Sequence, residues 1–466
     1  MSHRDSTDCK PKLNFEYLRT AINWLLKGAN FSTVRWRSDC TWRTARLLAV
    51  AALLWAWADE KLVGDRFSTA RRIALAMFPQ AQKVAGTYQA FIKLLRKWTP
   101  AFVLILQHTL RQRMQTDFAD LMMIGKWILY GVDGSRVNLP RTKDMEQAFS
   151  ASKRKNKKVK GGKKGKGQKK KQYAKAADAK KANSVTMWIT TLWHFGTGLP
   201  WDWRLGASDS SERAHWLEMM KGVVERALFV ADAGFVGYEY SSAAISAGHQ
   251  VLLRVGSNVT LLKKLGYAKE VDGTVYLWPN KAAKKGQPPL VFRLVVAHNG
   301  KHPIYLITSI LSTRDLSDAQ VLEAYQRRWG IELFYRHLKQ TFEMHKLRST
   351  SADSAYVEMN WALLGLWSMA LYALRELRQK GIDPNRLSFA KLIRAFQRIM
   401  RDYLHPVEQK KKLCDLLREA VIDEYQRSNS KTSRDYPRKK KESPPGAPNI
   451  QGATKSQIQL AKALNE

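Results

Sequence analysis

Tyr325-Gln-Arg-Arg328-Trp-Gly-Ile-Glu332-Leu-Phe-Tyr-Arg-His-Leu-Lys339 is the stretch on which the fold turns. Steps of three, four and seven separate Tyr325, Arg328, Glu332 and Lys339. At about 100° per residue in a helix, these four side chains fall within roughly 60° of one another. Ile331, Tyr335, Leu338 and Phe342 make an apolar stripe beside them. A phenol, a guanidinium, a carboxylate and an ammonium therefore share one helical face with a greasy flank. Two readings are open on these residues alone. One is a solvated face with ordinary i,i+4 pairs, Arg328–Glu332 among them. The other is a site in which Glu332 binds a metal cation while Arg328 and Lys339 bind phosphate oxygens.

The spacing resembles the Tyr–Arg–Glu–Lys signature of bacterial insertion-sequence transposases of the DDE class, in all four residues and all three intervals. The resemblance implies that Glu332 is the third acid of a catalytic triad. Two aspartates must then lie upstream, at the ends of strands.

Composition points the same way. The chain has 466 residues, ample for a large core and several domains. Its 79 Lys+Arg against 40 Asp+Glu give a net charge of +39, which points to a polyanionic partner, most simply nucleic acid. Hydrophobic residues make up 45%, which argues against disorder throughout. Three widely spaced cysteines, Cys9, Cys40 and Cys414, exclude a disulfide framework and fit a reducing compartment. The opening MSHRDSTDCK has no apolar run of signal-peptide type. The greasy stretches 47–58 and 361–374 are too short to span a bilayer and read as buried helices. A cytoplasmic, nucleoid-associated protein without a membrane partner is the expectation.

The expected fold class is α/β. Residues 1–123 carry a helical pattern and read as an all-α N-terminal domain of helix-turn-helix type; in the family resembled, this region binds element-end DNA. Residues 124–348 read as the catalytic domain. WILYGVD is a strand that ends at Asp133, although Asp-Gly is also a strong hairpin signal. Residues 153–181 hold fifteen basic residues and one acid, within a Lys-rich loop predicted over 151–182. Strands resume at SVTMWITTLWHF, turn at Gly196-Thr-Gly198 and return as LPWDWRL, before a helix in SDSSERAHWLEMMKGV. RALFVAD is an apolar strand whose last residue is Asp232, placed where α/β sheets hold their ligands. QVLLRV leaves Arg254 at its end. Three antiparallel strands, then helix, strand, helix and strand, is the order of an RNase H-like fold.

Residues 256–309 are strand-rich and match the β insertion that the resemblance implies between the second aspartate and the glutamate. Relatives carry a tryptophan at the start of the last insertion strand that helps hold a flipped base. This chain has Ile304 there, with Tyr305 next and Trp278 as substitutes. Residues 349–426 read as a C-terminal helical region and 427–466 as a disordered basic tail.

The resemblance thus implies catalytic and metal-holding roles for Asp133, Asp232 and Glu332, with two Mg²⁺ ions expected and Mn²⁺ able to substitute. It implies DNA contacts for Tyr325, Arg328, Lys339 and Arg254. The expected partners are double-stranded DNA, as terminal inverted repeats and target, and a second copy of the chain in the DNA complex. Two alternatives remain: a catalytically inactive DNA-binding derivative, and an RNase H-like nuclease. The three acids speak against the first; the β insertion and the four-residue signature favour transposition over the second.

Overall fold

The computed structural model describes residues 15–37, 40–79, 86–150, 185–223, 226–298, 302–404, 412–422 and 446–465. The Lys-rich loop expected over 151–182 lies outside the described residues.

Four helices come first: α1 (Phe15–Leu25), α2 (Ala45–Trp57), α3 (Val63–Met77) and α4 (Tyr88–Asp117). Every residue of α2 except Arg46 is buried, as an all-round apolar helix requires. The sheet region then runs β1 (Ile128–Asn138), α5 (Lys143–Phe149), β2 (Thr186–His194), β3 (Leu199–Gly206), α6 (Glu212–Met220), β4 (Ala227–Ala231), α7 (Tyr238–Ser246) and β5 (Gln250–Val255). Next come β6 (Thr260–Lys263), β7 (Thr274–Leu277), α8 (Asn280–Ala283), β8 (Leu290–His298) and β9 (Pro303–Thr308). After them follow α9 (Asp318–Arg327), α10 (Trp329–Arg336), a π-helical turn His337–Thr341, α11 (Ala352–Gln379), α12 (Phe389–Leu404) and α13 (Leu413–Arg418). The chain ends in β10 (Asn449–Gly452) and α14 (Lys455–Ala463).

The ten strands form one sheet in the order β10-β6-β7-β8-β9-β5-β4-β1-β2-β3. β1, β2 and β3 are antiparallel, while β4 and β5 run parallel to β1. β6 to β9 extend this same sheet, with β9 antiparallel to β5. β1 does not turn at Asp133-Gly134. It continues to Asn138, with Gly134 opposite Thr190 and Val137 buried. A full antiparallel partner in β2 overrides the local turn preference.

α11 is the spine of the molecule. On one side Gly365 lets α2 approach closely: a Cβ there would stand 3.0 Å from the Ala56 Cβ. The Trp57 Nε1–H donates to the Gly365 carbonyl at 3.0 Å, and the Trp361 Nε1–H to Thr99 Oγ1 of α4 at 2.9 Å. On the other side the Trp203 Nε1–H of β3 donates to Asn360 Oδ1 at 2.8 Å. The helices before and after the sheet thus share one apolar interior.

The tail departs from expectation. Residues 449–463, read from composition as disordered, form β10 and α14, and β10 pairs parallel with β6 from Asn449↔Thr260 to Gly452↔Lys263. Low hydrophobicity hides this, because an open sheet edge recruits a strand through backbone hydrogen bonds rather than apolar burial. Residues 423–445 lie outside the described set. No described helix is long and apolar enough to cross a membrane.

The β2–β3 turn carries a buried histidine. His194 Nδ1 accepts from the Thr197 backbone N–H at 3.1 Å, and Nε2 faces the Met122 carbonyl at 3.0 Å. This fixes a neutral ring with its proton on Nε2. Burial pushes its pKa down to about 4. Unfolded histidine titrates near 6.5, so the unfolded chain binds a proton that the folded chain refuses. Stability is therefore complete above pH 6.5 and falls by roughly 3 kcal/mol as the pH drops to about 4. Urea unfolding of the wild type and His194→Gln at pH 7 and pH 5 reads this directly. The variant is expected to lose much of the acid sensitivity, and identical slopes would rule the assignment out.

Candidate active site

The parallel register builds the site. β1 and β4 pair up to Val132↔Ala231, and β4 and β5 up to Ala231↔Leu253. The next residues along the three strands are Asp133, Asp232 and Arg254. Two carboxylates and a guanidinium thus stand in one row where the parallel pairing of β1, β4 and β5 stops, with β1 itself running on to Asn138, and Arg254 Nη1 lies 3.9 Å from Asp232 Oδ1. Each aspartate takes a hydrogen bond from the backbone N–H that follows it: Gly134 to Asp133 at 2.9 Å, and Ala233 to Asp232 at 2.8 Å.

The helical segment 318–341 lies against this row. It is not one uniform helix: the regular ladder breaks at Arg328, between α9 and α10, and widens to π geometry at 337–341. The break places the Arg328 guanidinium among the acids. Its Nη2 is 2.8 Å from Glu332 Oε1 and 4.0 Å from Asp232 Oδ2. The i,i+4 pair foreseen for a solvated face therefore exists, but with Arg328 only 9% exposed. The Tyr325 hydroxyl donates to Asp232 Oδ1 at 3.4 Å, and Arg328 lies over the Tyr325 ring. From the π turn, Lys339 Nζ donates to Ser135 Oγ at 2.5 Å, two residues along β1 from Asp133.

Packing explains the placement. A Cβ at Gly131 would meet Ile331 Cδ1 at 2.5 Å and Phe195 Cε1 at 2.4 Å, so only glycine lets α10 seat on β1. The Tyr335 hydroxyl, on the apolar stripe, donates to the Asp133 carbonyl at 2.9 Å and lies 2.9 Å from Thr191 Oγ1. Beyond Lys339 the chain hooks back onto β1, where Asn138 N–H donates to the His345 carbonyl and Leu347 N–H to the Asn138 carbonyl, both at 3.0 Å.

Charge in the cleft is frustrated. Burial lifts the Asp133 carboxyl to about 6; the Gly134 N–H and Arg328 oppose this, and Glu332 and Asp232 add to it. Burial alone would lower the Arg328 pKa, but Tyr325 and the three acids reverse that into a net rise. Burial depresses Lys339, with Asp133 opposing. Burial raises the Tyr325 phenol, and Asp232 raises it further.

All seven residues singled out in the sequence are thus found together, on β1, just after β4, on β5 and along the segment 318–341. Glu212, which sequence reasoning did not single out, also belongs to the neighbourhood. It leads α6, fills the space a Cβ at Gly134 would need, and has its pKa raised by burial and then by Asp133. Only the glycine after Asp133 hinted at such a neighbour. Among the described residues, no three Asp, Glu, His or Cys side chains converge tightly enough to hold one ion as they stand.

The family described as transposase DDE domain matches residues 131–367. The chain belongs to that family. The DDE domain so defined begins at Gly131, two residues before Asp133, includes the insertion strands and Lys339, and ends within α11. Over 197 residues the chain is 27% identical to the transposase InsG for insertion sequence element IS4 of Escherichia coli (strain K12). That match covers 40% of this chain and 44% of the relative, so less than half the length of the curated relative is spanned. Among solved structures, the piggyBac transposase synaptic complex with hairpin DNA aligns over 91% of this chain and 87% of its own, at 12% identity and a TM-score of 0.37.

Proposed function

We propose that this chain is a DNA transposase that cuts the ends of its insertion sequence and joins them to target DNA by two-metal phosphoryl transfer. The observation that carries the reading is the register row Asp133–Asp232–Arg254, with Glu332 brought to it by the Arg328 bridge. The strand order β3-β2-β1-β4-β5, antiparallel then parallel, supports an RNase H-like core for it. The Tyr–Arg–Glu–Lys spacing supports the insertion-sequence class.

The donor set fits a divalent cation. Asp133, Asp232 and Glu332 offer hard carboxylate oxygens, and a bound cation would offset both the burial that chiefly raises the Asp133 carboxyl and the smaller push from Glu332 and Asp232. These three residues would hold Mg²⁺ or Mn²⁺, which when bound activates the attacking oxygen and stabilises the leaving one. Tyr325 orients Asp232. Arg328 and Arg254 stand ready to exchange carboxylate partners for phosphate oxygens, and Lys339 reaches the same row from beyond Ser135. The helices of residues 1–123 are proposed to grip end DNA, and a second copy is proposed to join in the DNA complex. Nicking of end DNA with and without Mg²⁺ tests the reading.

Residues 153–181 are assigned an electrostatic role. Each phosphate they neutralise adds roughly 0.9 to the slope of log K against log salt. Deleting them is expected to flatten that slope while preserving the preference for element ends. An unchanged slope in a salt-titrated gel shift would remove the role.

A further inference from the structure

An open space lies away from the candidate acids, where the insertion strands meet the C-terminal segment. It is a groove of about 600 Å³ whose lining runs from Val236 through the β6–β7 region to Gln451 and Gln457. None of the lining residues carries a charge, in a chain whose net charge is +39. Four amides line it instead: Asn258 and Asn280 from the insertion, and Gln451 and Gln457 from β10 and α14. The side chains of Asn258, Asn280 and Gln451 are exposed and make no hydrogen bond among the described residues. Gln457 spends its Oε1 on the Thr454 N–H, at 2.9 Å, as the N-terminal cap of α14. Two aromatic walls are fixed by their polar ends: the Trp278 Nε1–H donates to the Gln287 carbonyl at 2.8 Å, and the Tyr238 hydroxyl to the Pro288 carbonyl at 2.6 Å. Exposed lysines lie within two residues of lining residues along the chain, at Lys263, Lys264, Lys281 and Lys455, with Lys281 paired to Glu239 at 3.5 Å.

Exposed, unpaired amides flanked along the chain by lysines offer the division of labour of a sequence-reading DNA surface. Lysines neutralise phosphates and set position, while amides read base edges. Asn and Gln pair in two hydrogen bonds with adenine N6 and N7 in the major groove. The position suits the role. Gly237, on the groove wall, is five residues from Asp232, so the groove begins within about 18 Å of the candidate acids. At 3.4 Å per base pair this is about five base pairs. Apolar burial at the tail is modest: all four residues of β10 are exposed, while α14 buries Ala461, and Ala453, Ile458 and Leu464 are half-buried against the core.

We propose that this groove, completed by residues 449–463, reads base edges of duplex DNA a few base pairs from the cleavage point, with adenine the preferred base. The proposal rests on the transposase reading and adds a specificity determinant outside the catalytic row.

The test uses the full chain and a pool of randomised DNA duplexes, with bound molecules sequenced after selection. Wild type is compared with the triple variant Asn258→Ala, Asn280→Ala, Gln451→Ala, whose exposed side chains leave stability within about 0.5 kcal/mol per site. The variant is expected to lose preference at one or two adjacent positions by about tenfold or more, and to keep the rest of the motif and the salt slope. Mg²⁺-dependent nicking of a duplex carrying the selected motif is measured on both proteins. Equal nicking with the altered motif supports the proposal. An unchanged motif, or a uniform loss of affinity at every position, overturns it while leaving the transposase reading intact. A wild type that selects no motif and does not nick overturns both.

Discussion

Glu332→Gln is expected to lower Mg²⁺-dependent nicking of element-end DNA by about a thousandfold or more, while the DNA stays bound. The substitution keeps the size of the side chain, and the amide oxygen still accepts from Arg328 Nη2, which now donates to Glu332 Oε1 at 2.8 Å. The helix and its seat on β1 therefore survive. What is lost is one anionic oxygen donor in a cleft where three carboxylates are proposed to act as one unit. Asp133→Asn and Asp232→Asn are expected to give the same phenotype, and the losses are expected not to add, because removing any member disables the set. Arg328→Ala and Lys339→Ala differ: both are expected to weaken DNA binding as well, since each removes a cation from the row. Binding by gel shift and nicking of labelled ends separate the two classes. Cleavage at the wild-type rate by Glu332→Gln would return Arg328–Glu332 to an ordinary ion pair.

The signature helix was legible because its period is chemical as well as geometric. Tyr325, Arg328, Glu332 and Lys339 fall on one face at the α-helical period, and the structure turns that face to the row of Asp133, Asp232 and Arg254. Strand character at WILYGVD and RALFVAD was legible from apolar runs. Their register was not, because which residue stands beside which depends on long-range pairing that local pattern does not encode. The break at Arg328 was nearly as hidden: its backbone stays in the helical region, and Gly330, two residues on, is the one local sign of a weakened helix. Glu212 escaped because its relation to Asp133 runs through the empty volume over Gly134, a contact made by tertiary folding. The tail was misread for a different reason. Composition reports apolar burial, whereas β10 docks through backbone pairing with β6, to which side-chain hydrophobicity is blind.

Gly131→Ala is expected to cost about 3 kcal/mol of stability and to cut nicking about a hundredfold or more, without touching an acid. The reason is volume. The new methyl would stand 2.4 Å from Phe195 Cε1 and 2.5 Å from Ile331 Cδ1, well inside van der Waals contact. Ile331 is fully buried on α10, one residue before Glu332. The cheapest relief is to lift α10 away from β1, which moves Glu332 and Arg328 from Asp133 and strains the Tyr335 hydrogen bond to the Asp133 carbonyl. A displacement near 1 Å is enough to lose two orders of magnitude in rate when reacting groups must be held in register. The second substitution Ile331→Val deletes the Cδ1 atom that the new methyl meets. Alone it is expected to cost about 1 kcal/mol. In the Gly131→Ala background it is expected to recover part of both stability and nicking, incompletely because Phe195 still crowds the site. Urea unfolding and single-turnover nicking of the four proteins form a double-mutant cycle. Coupling of about 1 kcal/mol or more, in the same direction for both measurements, ties the seat of α10 on β1 to the chemistry. Strict additivity would show that Gly131 serves only the sheet.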